Sequence, residues 1–173
     1  MNKKQLSYFR QTASAICFVV CSLTLGVFAQ VHTSSRITQP VDNKNVVYLS
    51  RTRHPLATPA RDQGRASKDL PMERMVLVLK RSGPQETALR KLLDSQHDKG
   101  STSFHHWLTP DEFGTQFGPS DSDLQQITNW LKSQGFEVGR TARGKQWIEF
   151  SGTAARVETA FRTEMHQYTF KAL

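Results

Sequence analysis

The sequence predicts an α+β domain in which helices cover one face of an antiparallel sheet, in the order βαββαβ with one extra short helix. Three observations lead there: a continuous apolar run at residues 75–80, helical patterns with apolar residues at core spacing, and an alternating pair of segments that reads as a hairpin. A signal peptide and an extended linker precede this domain.

Lys3, Lys4 and Arg10 open the chain, residues 13–28 form an apolar run, and Val27 and Ala29 place small residues before a cleavage point at Gln30. Residues 1–29 therefore read as a secretory signal peptide. The competing reading, an uncleaved membrane anchor, needs a longer span than this interrupted run. Cys17 and Cys21 are the two cysteines, and both lie in this segment. The product starting at Gln30 thus has no thiol, which excludes disulfides and cysteine metal sites. Neither cysteine stands at the cleavage point, where a lipoprotein signal requires one.

The formal charge of +8 falls to +5 without the three basic residues of the signal, leaving 20 basic against 15 acidic residues. Most of that excess lies in residues 30–71, where Arg36, Lys44, Arg51, Arg53, Arg61, Arg65 and Lys68 face only Asp42, Asp62 and Asp69. Prolines at 40, 55, 59 and 71 and a single apolar cluster at 46–49 mark this segment as a mostly extended lead-in with solvated basic residues. A short strand at 45–49 is open. From residue 72 onward the chain carries about +1, which has little long-range pull on a polyanion.

The domain is placed at residues 72–173. Residues 75–80, MVLVLK, read as a central strand. Ser82, Gly83 and Pro84 break it and start a helix over 85–95 with Ala88, Leu89, Leu92 and Leu93 on one face. After a small and polar linker, residues 104–118 read FHHWLTPDEFGTQFG. Thr109 suits the N-cap, Pro110 the first helical position, and Glu112 the reciprocal bond of a capping box. Leu108 and Phe113 have staple spacing, and Gly118, as a left-handed cap, with Pro119 ends the helix. Ser120 caps a longer helix with Asp121 and Asp123 in its first turn, Leu124, Ile127 and Leu131 at core spacing, and Gly135 at its end.

Phe136 and Val138 begin an alternating strand, residues 139–145 turn, and residues 146–151 return with Ile148 and Phe150 on one face. Ser151, Gly152 and Thr153 cap a third core helix in which Ala154, Val157 and Phe161 align. A last strand follows at 164–170. Its buried face is open, because His166, Tyr168 and Phe170 compete with Met165. Two βαβ halves joined by a hairpin give a ferredoxin-like sandwich, and about 100 residues suffice for its core.

Candidate chemistry is sparse. His105 and His106 are adjacent, which points them apart on an extended chain, and no third ligand follows at helical spacing. His54, His97 and His166 read as surface or packing residues. Ser151 lacks the flanking glycines, base and oxyanion donors of a nucleophile turn, so it reads as part of a cap. An RNA-binding βαββαβ module competes through Arg143, Gly144, Trp147, Ile148 and Phe150, but residues 75–80 lack the aromatic that stacks a second base.

Two motifs, FHHWLTPDEFGTQFGPSDSDL at 104–124 and WIEFSGTAARVETAF at 147–161, carry a resemblance. Over roughly residues 74–168 the chain resembles the activation domain of the kumamolisin and sedolisin serine-carboxyl peptidase precursors. The matching positions are Phe104, His105, His106, Trp107, Leu108, Thr109, Pro110, Glu112, Phe113, Phe117, Gly118 and Pro119, then Ser151, Gly152, Thr153, Ala154 and Phe161. The resemblance implies a secreted prosegment, extracellular or periplasmic, that assists folding of a subtilisin-like catalytic domain, covers its cleft and is removed in acid. It implies no nucleic-acid partner and no membrane association after signal cleavage. The family's catalytic Glu, Asp and Ser and its calcium site lie in the catalytic domain, so no catalytic residue, metal or cofactor is expected in this chain. The chain reads as the front of a truncated or partial precursor. A fragment of an active peptidase and a freestanding secreted inhibitor or binding module are the alternatives. His105 and His106 beside Trp107 are candidate acid sensors, with packing and loop hydrogen bonding as the preferred role.

Overall fold

The computed structural model describes residues 33–41, 43, 46–49 and 53–170; the expected signal segment, with Ala29 and Gln30, lies outside the described residues. After a 3-10 turn at Pro59–Arg61 come β1 (Asp62–Arg65), β2 (Pro71–Val78), α1 (Gly83–His97), α2 (Pro110–Phe117), α3 (Asp121–Ser133), β3 (Glu137–Thr141), β4 (Trp147–Thr153), α4 (Ala154–Phe161) and β5 (His166–Tyr168).

β4 lies between β2 and β3 and is antiparallel to both. β2 and β3 therefore run the same way with β4 inserted between them, which is the split βαβ unit of the ferredoxin-like class. The last strand departs from the expected single sheet: β5 pairs antiparallel with β1 in a separate two-stranded sheet. β1 reads Asp-Gln-Gly-Arg, with no apolar alternation, so nothing in its composition announces a strand. The expected short strand at 45–49 is absent from the described part, where residues 46–49 are exposed without regular structure. Residues 139–141, expected in the turn, extend β3.

Opposite residues in the ladder include Met75 with Phe150, Leu77 with Ile148, and Val78 with Trp147. The two-residue pleat sends Met75, Leu77, Ile148 and Phe150 toward the helices and Val76, Val78, Trp147 and Glu149 away from them. Leu131 and Ile148 are fully buried, and Phe136, Phe150 and Val157 complete the core around them. The Phe136 and Phe150 rings meet edge to face at 5.0 Å, and Phe161 lies within 6.0 Å of both. Met165 packs on this core, whereas β5 keeps His166 and Tyr168 half-buried against β1, so the last strand divides between two environments.

Helix ends follow local chemistry. Ser82 and Gln85 form a full capping box on α1. Gly135 closes α3 with φ +85°, a left-handed conformation that favours glycine, and Phe136 N–H reaches back to Leu131 O at 3.1 Å. Thr153 stands at the α4 cap position without a side-chain bond. The exposed first donors of α4 bond instead to the segment before β2, Ala154 N–H to Leu70 O and Ala155 N–H to Lys68 O, both at 3.0 Å. Ser151 and Gly152, expected to cap, belong to β4. Ser151 Oγ accepts from Arg74 N–H at 3.0 Å, the donor freed by a bulge between Met72 and Met75. A Cβ on Gly152 would stand 2.6 Å from the Phe136 ring, so the glycine lets that aromatic close over the sheet.

Candidate functional site

The inserted segment 104–119 is fixed between α1 and the β3–β4 turn. Thr109 Oγ1 accepts from Glu112 N–H at 3.3 Å, and Glu112 Oε2 accepts from Thr109 N–H at 2.8 Å, the expected capping box with Pro110 behind it. The Thr109 N–H and hydroxyl hold the Glu112 carboxyl below its ordinary pKa. Gly118 differs from expectation: its backbone is extended at φ −77°, and its role is close approach. A Cβ there would stand 2.5 Å from Gly114 O and 2.7 Å from Lys145 Cβ. Gly114 likewise meets Arg143 O, where a Cβ would stand 2.6 Å away. Two small residues thus let α2 lie directly on the hairpin turn, and Arg143 pairs with Asp111 across the contact. That hydrogen bond lowers the Asp111 pKa and raises that of Arg143.

From the other side, α1 buries two glutamines. Gln85 Nε2 donates to Gly118 O at 2.9 Å, and Gln96 Nε2 donates to His106 O. Gln96 O accepts from His105 N–H at 3.1 Å. The inward face of α1 therefore runs through Gln85, Leu89, Leu92 and Gln96, while Leu93, expected on that face, is 46% exposed. Helical periodicity marks the apolar residues of this face but not its amides, of which Gln85 alone is signalled, by its place three residues after Ser82.

Within the insertion, His105 adopts φ +57° and stacks on Phe104 with ring centres 3.8 Å apart and on Trp107 at 5.8 Å. Trp107 also meets His97 at 5.9 Å and remains 61% exposed. Phe117 is buried, the Phe113 ring packs tilted against it with ring centres 5.4 Å apart, and Leu108 is half-buried. Pro119 is half-buried after Gly118, and Ala154 is buried at the start of α4. These placements make the two motifs packing devices: one seats the insertion, the other closes the core. Among the described residues, no group of three or more His, Cys, Asp or Glu side chains is arranged to hold a metal.

Asp123 is buried at the start of α3, where the sequence suggested only a favourable dipole contact. Its carboxylate accepts from Ser35 Oγ at 2.7 Å, Arg36 N–H at 3.0 Å and Ile37 N–H at 2.9 Å. Burial alone would raise its pKa, but these bonds and Ser120 outweigh burial and hold it below the ordinary value. Arg36 Nη1 donates to Lys80 O at 2.7 Å, and Gln126 Nε2 donates to Ile37 O at 2.8 Å. A segment expected to be solvated is thus docked by the backbone N–H groups of residues 36 and 37.

The sheet face away from the helices is open. Val76 and Val78 are 51% and 73% exposed beside a half-buried Trp147. Glu149 lies among them with Arg74 and Arg140, each 3.4 Å from its carboxylate. Phe150, one aromatic of the RNA-binding reading, is instead buried on the helix side. His166, read as a surface or packing residue, contacts the Asp62 carboxylate at 2.9 Å.

The family described as "Pro-kumamolisin, activation domain" matches residues 58–172. The chain belongs to this family. The chain is 30% identical over 82 residues to xanthomonalisin of Xanthomonas sp. strain T-22, covering 47% of this chain and 10% of that protein. It is 30% identical over 80 residues to tripeptidyl-peptidase sed1 of Aspergillus fumigatus, covering 45% and 12%. The chain is 25% identical over 156 residues to sedolisin of Pseudomonas sp. strain 101, covering 87% and 25%. The chain spans between a tenth and a quarter of the length of these relatives. The same matches correct the expected partner: the family and the relative named sedolisin point to a sedolisin-type catalytic domain in place of a subtilisin-like one. Among the described residues, no helix is long and apolar enough to cross a membrane.

Proposed function

We propose that the activation domain works as the prosegment of a secreted sedolisin-type serine peptidase precursor, templating the fold of the catalytic domain, inhibiting it, and leaving in acid. Residues 1–29 are its export signal, residues 30–71 its lead-in and residues 72–173 its docking unit. The observation that carries the reading is the open sheet face, where Val76, Val78 and Trp147 offer apolar surface and Arg74 and Arg140 share the Glu149 carboxylate in a small ionic centre. Apolar side chains standing together on an uncovered sheet face favour a protein partner over water. Neither a nucleic acid nor a membrane is assigned as partner. No cofactor is assigned to this chain, and calcium is assigned to the catalytic domain. The family's catalytic residues are assigned to the catalytic domain, so the chain on its own is expected not to hydrolyse peptides.

The test is to add the product beginning at Gln30 to a purified sedolisin-type peptidase and follow peptide hydrolysis at acidic pH. Slowed hydrolysis, with none from the added chain alone, is the expected result; an unchanged rate at molar excess overturns the inhibitor role. A freestanding inhibitor would slow the peptidase in the same way, and the reading frame after Leu173 separates that alternative from a precursor.

A further inference from the structure

β1 and β5 contain no buried residue, so their pairing rests on main-chain bonds and on the charged side chains around them. A bulge sets the geometry. The ladder pairs Asp62 with Tyr168 and Arg65 with His166, leaving one extra residue on β1, and Gly64 takes φ +92° to accommodate it. Asp62 Oδ1 accepts from Gly64 N–H at 2.8 Å, which fixes the bulge and aims the carboxylate along the sheet. Both of its oxygens then lie 2.9 to 3.0 Å from His166 Nδ1. The irregularity of the strand thus brings a carboxylate to a histidine that is not its register partner.

The surrounding charges come from every neighbouring segment. From β1, Arg65 Nη2 stands 3.5 Å from Glu158 on α4 and 3.3 Å from Glu164 before β5. Glu164 also approaches His166 Nε2 at 3.5 Å, and Glu158 accepts from Met165 N–H at 3.0 Å. Arg53 donates to the Tyr168 hydroxyl at 3.2 Å and lies over its ring, while Arg61 lies over the Phe170 ring. With His166 charged, four cations face three carboxylates. With the carboxylates protonated, those four cations face none.

We propose that the Asp62–His166 contact makes β1–β5 a pH-responsive clasp, closed most firmly in mild acid and able to open while the three-stranded sheet stays intact. The hydrogen bond to Asp62 raises the His166 pKa above its ordinary 6.5. Its stabilisation is therefore fully present below 6.5 and is lost as pH rises through the raised value. The bond to His166 lowers the Asp62 pKa below its ordinary 3.8, so its contribution is present above 3.8 and is lost as pH falls through the depressed value. Between those limits both partners are charged. Below them the remaining Arg53, Arg61, Arg65 and His166 repel.

The experiment is amide hydrogen exchange by NMR on the full chain from about pH 3 to about pH 8, each rate divided by that of an unstructured peptide at the same pH. The reporters are Ala66 N–H, bonded to Met165 O, and Thr169 N–H, bonded to Arg61 O; Leu79 N–H, bonded to Gln146 O, monitors the other sheet. Protection at Ala66 and Thr169 relative to Leu79 is expected to peak in mild acid, to fall about twofold to fivefold toward the alkaline end, and to begin falling at the acid end as Asp62 takes up its proton. His166→Gln should flatten the alkaline limb, and Asp62→Asn should bring the His166 ring titration down toward its ordinary value. A flat relative protection in the wild-type chain, an alkaline limb that survives His166→Gln, or a His166 titration unmoved by Asp62→Asn would each overturn the clasp.

Discussion

In the three-stranded sheet, Ile148 and Phe150 meet Leu131, Phe136 and Val157 out of contact with water, whereas β1–β5 sets Asp62, Arg65 and His166 against Glu158 and Glu164 at the surface. The difference shows how one small domain uses two kinds of cohesion. Apolar burial scales with area and does not itself titrate. Partly exposed ion pairs are individually weak, are screened by salt and change with protonation. The first sheet is thus the part expected to open only with the whole fold, and the second the part expected to open locally.

The sharpest break of this comparison is Ile148→Ala. A fully buried side chain on the central strand is lost, and about 3 kcal/mol of global stability should go with it, read as a lower urea midpoint with both sheets melting together. Asp123→Ala should have a smaller effect, about 2 kcal/mol, because the N–H groups of Arg36 and Ile37 lose a charged acceptor. Its signature is faster exchange at those two amides with little change in the sheet. Since the Asp123 pKa is lowered, this docking should be present above the ordinary 3.8 and lost as pH falls through the depressed value. The mildest perturbation is about 1 M salt, which should reduce protection at Ala66 and Thr169 and leave Leu79 unchanged, as read by hydrogen exchange.

The same contrast explains what the sequence disclosed. Elements built by apolar periodicity or by local caps were legible: β4 from Ile148 and Phe150, α3 from Leu124, Ile127 and Leu131, and α2 from Thr109 and Glu112. Features built by polar contacts across long separations were not. Nothing near Asp123 indicates that residues 35–37 will cover it, and Asp62 stands 104 residues from His166. Gly118 shows an intermediate case: its place after α2 was legible, but its reason, contact with Lys145, arises only when the hairpin turn reaches the insertion. The family resemblance carried the functional reading where local chemistry had none to offer, and its subtilisin-like partner gave way to a sedolisin-type one.

If the two sheets also divide the work, the open face of the first should carry partner binding and the second should not. The most direct measurement titrates a sedolisin-type peptidase with the wild-type chain, with a Val76→Asp and Val78→Asp double variant, and with Asp62→Asn, at one mildly acidic pH. Inhibition by the wild-type chain, its loss in the double variant although the fold persists by circular dichroism, and its retention in Asp62→Asn are the expected results. Undiminished inhibition by the folded double variant would contradict this division of work.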